Sequence, residues 1–327
     1  MKRLFAFAAC LAALVTGAQA QELKFATQNP KGHPLVTGME RFAELVAKAS
    51  GGKMKVNLFP GGVLGSDQAN VSALQGGTLD MVVLNSGILA SQVKEFGIYD
   101  FPFMFASPKE ADAVVDGPFG SMMHAKLEPK GIVGLAYWEL GFRQITNSRR
   151  PIHKLDDIAG LKLRVIPNAI NVDWVKALGA NPTPLPFPEV YAALDQKAID
   201  GQENPMTVIA ANKFYEVQKY LVVTNHQYNP QSLIFSKKVW DTLSAGNRKI
   251  LADAAVEAGR HQREVSRGAA NAALETLKKN GMQVTELSAP ELVKFREAMK
   301  PVVAKHSEVV GKETVDALQA ELSKLRK

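Results

Sequence analysis

Two arginines stand where a small anion could be gripped. Arg164 lies in Leu161-Lys162-Leu163-Arg164-Val165-Ile166, whose alternation turns Arg164 away from the Leu161/Leu163/Val165 face. Pro167 stops this segment, so Arg164 falls near the carboxyl end of a strand, where open α/β sheets place their ligands. A guanidinium there offers two parallel hydrogen bonds to a carboxylate. An ordinary surface arginine is the other reading of this feature. Arg143 follows Gly141 and precedes Thr146-Asn147, and could aim a fork at an anion or pair with a surface Glu. The run Asp200-Gly201-Gln202-Glu203-Asn204-Pro205 is dense in polar side chains, as a binding segment or a solvated turn would be. Residues 182–188 carry four prolines and form either one stiff edge of a cleft or a linker.

Other chemistry has little support. No G-x-x-x-x-G-K-[ST], G-x-S-x-G or G-x-G-x-x-G run exists. The histidines (His33, His124, His153, His226, His261 and His306) form no H-E-x-x-H pattern, so a metal site has no local basis. Asp156-Asp157 reads as a helix cap before Ile158. An exported hydrolase or lyase would need a nucleophile or a metal, and neither is evident. The expectation is a protein that is not an enzyme and uses no cofactor.

The elements that must position these residues follow from pattern. A chain of 327 residues forms one large domain or two ordinary ones, and 46% apolar residues exclude wholesale disorder. The net charge of +7 is spread as mixed Lys, Arg, Glu and Asp, which predicts no nucleic-acid partner. Lys2 and Arg3, an apolar stretch over 4–15 and Gly17-Ala18-Gln19-Ala20 have the build of a secretory signal cleaved after Ala20. Cys10 lies inside that stretch, so the mature chain would hold no cysteine, and hence no disulfide or Cys-bound zinc. Strands are predicted at 23–26, 54–58, 79–84, 132–136, 161–166, 221–224 and 233–235. Helices are predicted over 36–49, from Ser66 or Asp67 to Gly76-Gly77, around 172–178 and 189–194, and through most of the chain after Val239. This order predicts an α/β fold in two units with a helical C-terminal region.

The polar segments also carry a family resemblance. Gly160 to Val165, Ala177-Leu178-Gly179-Ala180-Asn181-Pro182-Thr183-Pro184, Phe187-Pro188-Glu189-Val190-Tyr191, Asp200 to Pro205, Lys213 to Lys219 and Thr224-Asn225-His226 resemble the DctP-type solute-binding proteins of TRAP transporters. Phe59-Pro60-Gly61-Gly62-Val63-Leu64-Gly65, Gly76 to Met81, Phe101-Pro102-Phe103 and Phe142 to Asn147 agree. The resemblance implies a two-lobe periplasmic binding-protein fold with hinge strands and long C-terminal helices. The lobes would be 21–140 plus 230–268 and 141–229 plus 269–327, after a signal peptide over 1–20. It implies that Arg164 holds a ligand carboxylate, that Arg143 is a second cationic contact, that Asn204 donates and that Phe187 packs on the ligand body. In lobe one, Asn85, Gln28 and His33 would reach the cleft, and Trp138 would supply a flat wall. Asn85 stands where some sialic-acid-binding relatives carry Glu, which argues against sialic acid. The implied function is a periplasmic, monomeric subunit that hands a C4-dicarboxylate or a sugar or hydroxy acid to TRAP membrane permease subunits. A binding protein that feeds a sensor instead is the runner-up.

Overall fold

The computed structural model describes residues 20–326. The expected signal segment, apart from Ala20, lies outside the described residues, as does Cys10.

β1 (Gln21–Ala26) leads into α1 (Pro34–Ala49). Leu35, Val36, Met39, Phe42 and Val46 recur at helical spacing and bury one face of α1. β2 (Met54–Phe59) follows, then α2 (Asp67–Gly76), whose N-cap Ser66 accepts a hydrogen bond from the Ala69 amide at 3.3 Å. β3 (Met81–Asn85) is buried along its whole length. Short 3-10 segments, α3 (Pro108–Val115) and α4 (Pro118–Ala125) precede β4 (Ile132–Phe142). Arg143 alone separates β4 from β5 (Gln144–Asn147). β6 (Lys162–Val165), α5 (Ala169–Ala177), β7 (Asn181–Pro184), α6 (Val190–Asp195), β8 (Gly201–Asn204), α7 (Met206–Ala211) and β9 (Tyr220–Val223) build the second lobe. Then come β10 (Tyr228–Ser236), α8 (Lys237–Trp240), α9 (Ala245–Lys279), β11 (Gln283–Glu286), α10 (Ala289–Val310) and α11 (Lys312–Leu325).

The strands form two sheets. Lobe one has the order β2-β1-β3-β10-β4, with β10 antiparallel to both neighbours. Lobe two has the order β11-β9-β5-β8-β6-β7. The chain therefore crosses between lobes at Arg143, across 224–227, along α9 and again along α10. That helix packs Leu251, Ala255 and Ala258 into the lobe-one core and Leu277 into a lobe-two core.

One expectation needs correction, and two readings left open are decided. Residues 269–327 do not all belong to lobe two. α10 packs Phe295 and Met299 there, but Val310, Leu318 and Leu322 sit in the lobe-one core, where α11 lies on α3 and α4. Helical periodicity reports that one face is buried, not what buries it. The polar run at 201–204 is not a solvated turn but an internal strand, fully buried, between β5 and β6. The proline-rich segment at 181–184 is a strand too, parallel to β6 and at the sheet edge, where proline's missing N–H costs no ladder bond.

Trp138 occupies the junction of β4, α1 and α9. Its Nε1 donates to the Ala255 carbonyl at 3.0 Å. Gly38 and Gly259 make room for it: a Cβ on either would stand 2.9 or 2.7 Å from the indole ring. Gly259→Val should therefore overpack this contact and cost about 1–3 kcal/mol in urea unfolding. An unchanged midpoint would show that α9 is not held against the indole.

Candidate functional site

Strand ends of both sheets meet at one cavity. Lobe one supplies Gln28 and Asn29 after β1, Asp67 and Gln68 at the start of α2, and Asn85 at the end of β3. The crossing strands supply Leu140, Arg143 and Gln231. Lobe two supplies Arg164, Ile166, Pro167, Pro186, Phe187, Asn204 and Val208. The lobes meet at the rim, where a Cβ on Gly62 would be 3.4 Å from Pro188. Gly62 has φ +69°, a conformation that glycine adopts without strain.

Arg164 is 2% exposed. Its Nε donates to the Leu185 carbonyl at 2.9 Å, and its guanidinium lies 5.8 Å from the Phe187 ring centre. Both Nη atoms lack a hydrogen-bond partner among the described residues, which leaves a four-hydrogen fork on the cavity wall. Burial draws its pKa down to about 10, with Glu203 acting in the opposite sense, so it stays charged at neutral pH.

Arg143 is used differently. It is 1% exposed and forms a two-armed ion pair with Glu203, through Nε to Oε2 and Nη2 to Oε1, the latter at 2.8 Å. Nη2 also donates to the Glu203 carbonyl, and Nη1 donates to Asn229 Oδ1 at 2.7 Å. Four of its five N–H groups are thereby committed. The expected second cationic contact is thus a guanidinium whose charge is already matched. Behind it, His226 Nε2 stands 3.3 Å from Glu203 Oε2 and Nδ1 stands 2.8 Å from the Thr224 hydroxyl. Burial holds the imidazole pKa down, so the neutral ring donates to Glu203 and accepts from Thr224. Burial alone would raise the Glu203 pKa, but the Arg143 charge and the His226 hydrogen bond outweigh it and hold the carboxyl at about 2.

The lobe-one wall is rich in acceptors. Gln28 Nε2 donates to the Gly65 carbonyl at 2.9 Å, and Gln28 Oε1 is buried without a partner. Asn29 Oδ1 and Asp67 Oδ1 are also buried and unpartnered. Burial pushes the Asp67 carboxyl up to about 7, against the pull of the Arg164 charge and the Gln28 amide. Asn85 Nδ2 donates to Asp100 Oδ1 at 3.3 Å, and Asn204 Nδ2 to Gln202 Oε1 at 2.6 Å.

The structure brings Arg164, Arg143, Asn204, Phe187, Asn85 and Gln28 to one cavity. It does not bring Trp138 or His33 to its wall. Trp138 shares a strand face with Leu140, which does line the cavity, but it stands one step deeper, against α1 and α9. His33 caps α1, with Nδ1 accepting from the Leu35 amide at 3.1 Å, and burial drops its pKa to about 3. Sequence reasoning missed Asp67 and Glu203. Asp67 was legible only as a helix cap, and the ion-pair role of Glu203 depends on β5 and β8 being neighbours.

Glu203→Gln should leave Arg143 buried and uncompensated, at a cost of about 3–5 kcal/mol in urea unfolding at pH 7. The carboxyl pKa is depressed in the folded protein, so its contribution is complete above the unfolded value of ~4.5. It fades as pH falls toward about 2. The wild type should lose stability across that window more steeply than the Gln variant, and parallel curves would refute the pairing.

Relatives share this architecture. A TRAP periplasmic solute-binding protein from Ochrobactrum anthropi, with its C-terminus bound in the ligand-binding pocket, is 54% identical, with TM-score 0.84 over 94% of this chain and 97% of that one. The sugar acid binding protein DctPAm from Advenella mimigardefordensis, in complex with galactonate, is 42% identical, with TM-score 0.92 over 93% of this chain and 98% of that one. The 2,3-diketo-L-gulonate-binding periplasmic protein YiaO of Escherichia coli (strain K12) is 37% identical over 85% of each chain. The family model described as bacterial extracellular solute-binding protein, family 7 (DctP) matches residues 25–309, which takes in both sheets and every wall of the cavity. Binding, not catalysis, is what unites that family, and the chain belongs to it as a DctP-type solute-binding protein.

Proposed function

We propose that this protein is the periplasmic binding subunit of a TRAP-type secondary transporter and captures a small organic acid for delivery to the membrane permease subunits. The observation that carries the reading is the Arg164 fork: a buried, charged guanidinium on a cavity wall with both Nη atoms unpartnered. A carboxylate satisfies such a fork through two parallel charge-assisted hydrogen bonds. Asn204 lies beside it as a further donor, and Phe187 offers a flat apolar surface. The sugar acids bound by DctPAm and YiaO are ligands of this kind.

Binding would couple to closure because the two walls belong to different lobes. A ligand that touches both stabilises the closed arrangement by its differential affinity for it. The bound acid then leaves intact, and no group of the cavity need form a covalent bond. We further infer export to the periplasm as a monomer, with the leader removed after Ala20.

Two measurements test this. Arg164→Ala should stay folded and lose roughly 2–5 kcal/mol of affinity in calorimetric titration with the best-bound acid. Arg164→Lys should recover only part of that, since an ammonium cannot present the planar fork. Undiminished binding by the Ala variant would remove the clamp. The intact mass of protein recovered from the periplasm should correspond to a chain starting at Gln21, and any other start would displace the cleavage site.

A further inference from the structure

The turn that follows the 3-10 segment Lys94–Asp100 ties the lobes together away from the binding cavity. Asp100 is fully buried, and side-chain amides hold its carboxylate, with one oxygen given to each lobe. Oδ1 accepts from Asn85 Nδ2 and Asn229 Nδ2, on β3 and β10 of the first sheet, both at 3.3 Å. Oδ2 accepts from Asn168 Nδ2, the cap of α5, and from Asn171 Nδ2 on α5 at 3.2 Å. Each of these amides turns its own oxygen to another donor. Asn85 accepts from the Gly87 amide, Asn229 from Arg143, Asn168 from the Asn171 amide, and Asn171 from Trp174 and Gln227. All four NH2 groups are thereby aimed at Asp100, and a carboxylate, which accepts through both oxygens, satisfies them all. Asn85 lines the cavity from lobe one, and Asn168 follows directly on Arg164-Val165-Ile166-Pro167, which line it from lobe two except for Val165.

The chain then alternates between the lobes. Phe101 and Phe105 are buried in the lobe-one core, whereas Phe103 packs against the core of lobe two. Its ring meets Phe295 of α10 edge-on, with centres 6.1 Å apart, and the Arg296 guanidinium lies 4.9 Å from the ring centre. Its amide donates to the His226 carbonyl at 2.8 Å, and Gln227 Nε2 donates to the Asp100 carbonyl. Phe103 has φ +54°, a left-handed conformation that is costly for a bulky residue. Strain of that kind persists where surrounding contacts over-determine it, and the ring contacts here come from the opposite lobe.

We propose that Asp100 and Phe103 are positioning residues for solute capture, forming a strap from lobe one that sets the angle at which lobe two stands over the cleft. Asp100 fixes the Asn85 wall to the α5 end of the Arg164 strand, and Phe103 hooks the same turn onto α10. A solute that must touch both walls is then bound at the spacing the strap allows. With the strap released, the covalent crossings remain but permit a wider range of angles. A smaller fraction of molecules then holds the walls at binding distance, and apparent affinity falls with that fraction.

The test measures lobe spacing by double electron–electron resonance in refolded protein without ligand. Spin labels go on Ser72→Cys in α2 and Ala192→Cys in α6, both exposed. The chain used starts at Gln21 and so lacks Cys10, the one cysteine of the sequence. Asp100→Asn keeps the size of the side chain but turns an NH2 onto a shell of donors. Burial already holds the Asp100 carboxyl up at about 6, so the fold tolerates a neutral group there. Phe103→Gly removes the hook and takes the left-handed φ without strain, and Phe103→Tyr keeps the ring. The Asn and Gly variants should keep the wild-type circular dichroism and give a distance distribution shifted or broadened by more than about 2 Å, the scale of hinge rearrangement. The Tyr variant should match the wild type. A lower melting temperature with an unchanged distribution in both variants would reduce the turn to packing and overturn the proposal. A change in one variant alone would confine the positioning role to that residue and remove the other. No ligand enters the measurement, so its outcome is separate from whether Arg164 grips a carboxylate.

Discussion

The Arg143–Glu203 pair is the constraint on which the cleft depends. Arg143 is the single residue between a strand of one sheet and a strand of the other, so its side chain is buried wherever the lobes meet. An unpaired guanidinium there would carry the full cost of desolvation. Glu203 cancels that charge from β8, and His226, on the neighbouring crossing segment, completes the carboxylate's hydrogen bonds. Three segments of chain that pass or abut the hinge are thus tied through one carboxylate. The Arg143 amide also donates to the Gln227 carbonyl at 2.9 Å, which joins the two crossing strands directly.

With that pair satisfied internally, the remaining charge in the cleft becomes selective. Arg164 is buried to a similar degree, yet its terminal nitrogens have no partner among the described residues. The Leu185 carbonyl fixes its direction without consuming its fork, with the Phe187 ring centre 5.8 Å away. The two arginines therefore have separate tasks although they stand side by side. One holds the architecture and the other is left for a guest. Asp67 faces it from the other lobe, close enough that the charge of Arg164 lowers its pKa against the larger effect of burial.

Much of this was legible in the sequence because it depends on local pattern. The alternation through Leu163-Arg164-Val165 put Arg164 at a strand end, and the proline after Ile166 said which end. The helix read over 36–49 and the strand read over 79–84 follow from apolar spacing and glycine stops, and stand at 34–49 and 81–85. What was not legible depends on neighbours distant in the chain. Glu203 sits in a polar run that reads equally as a binding segment or a solvated turn. Only the placement of β8 between β5 and β6 makes that run an interior strand, with Arg143 and the Gln202–Thr146 contact to satisfy it. Trp138 has the correct alternation for a cleft residue and the wrong depth. The allegiance of α11 to lobe one was invisible for the same reason: an amphipathic stripe names no partner.

The position of β10 has a consequence for how the chain acquires its structure. β10 lies between β3 and β4, yet all of β5 to β9 comes between β4 and β10 in sequence. The first sheet therefore cannot be completed until the strands of the second have been passed. Until then β4 has no neighbour in its sheet, and the edge of β3 that will meet β10 stays unpaired. Such long-range pairing carries a large loop-closure cost and makes folding slow. Completion of the first sheet is therefore late in the order of synthesis, and the unpaired edges are the surfaces that would need shielding from aggregation in the interval.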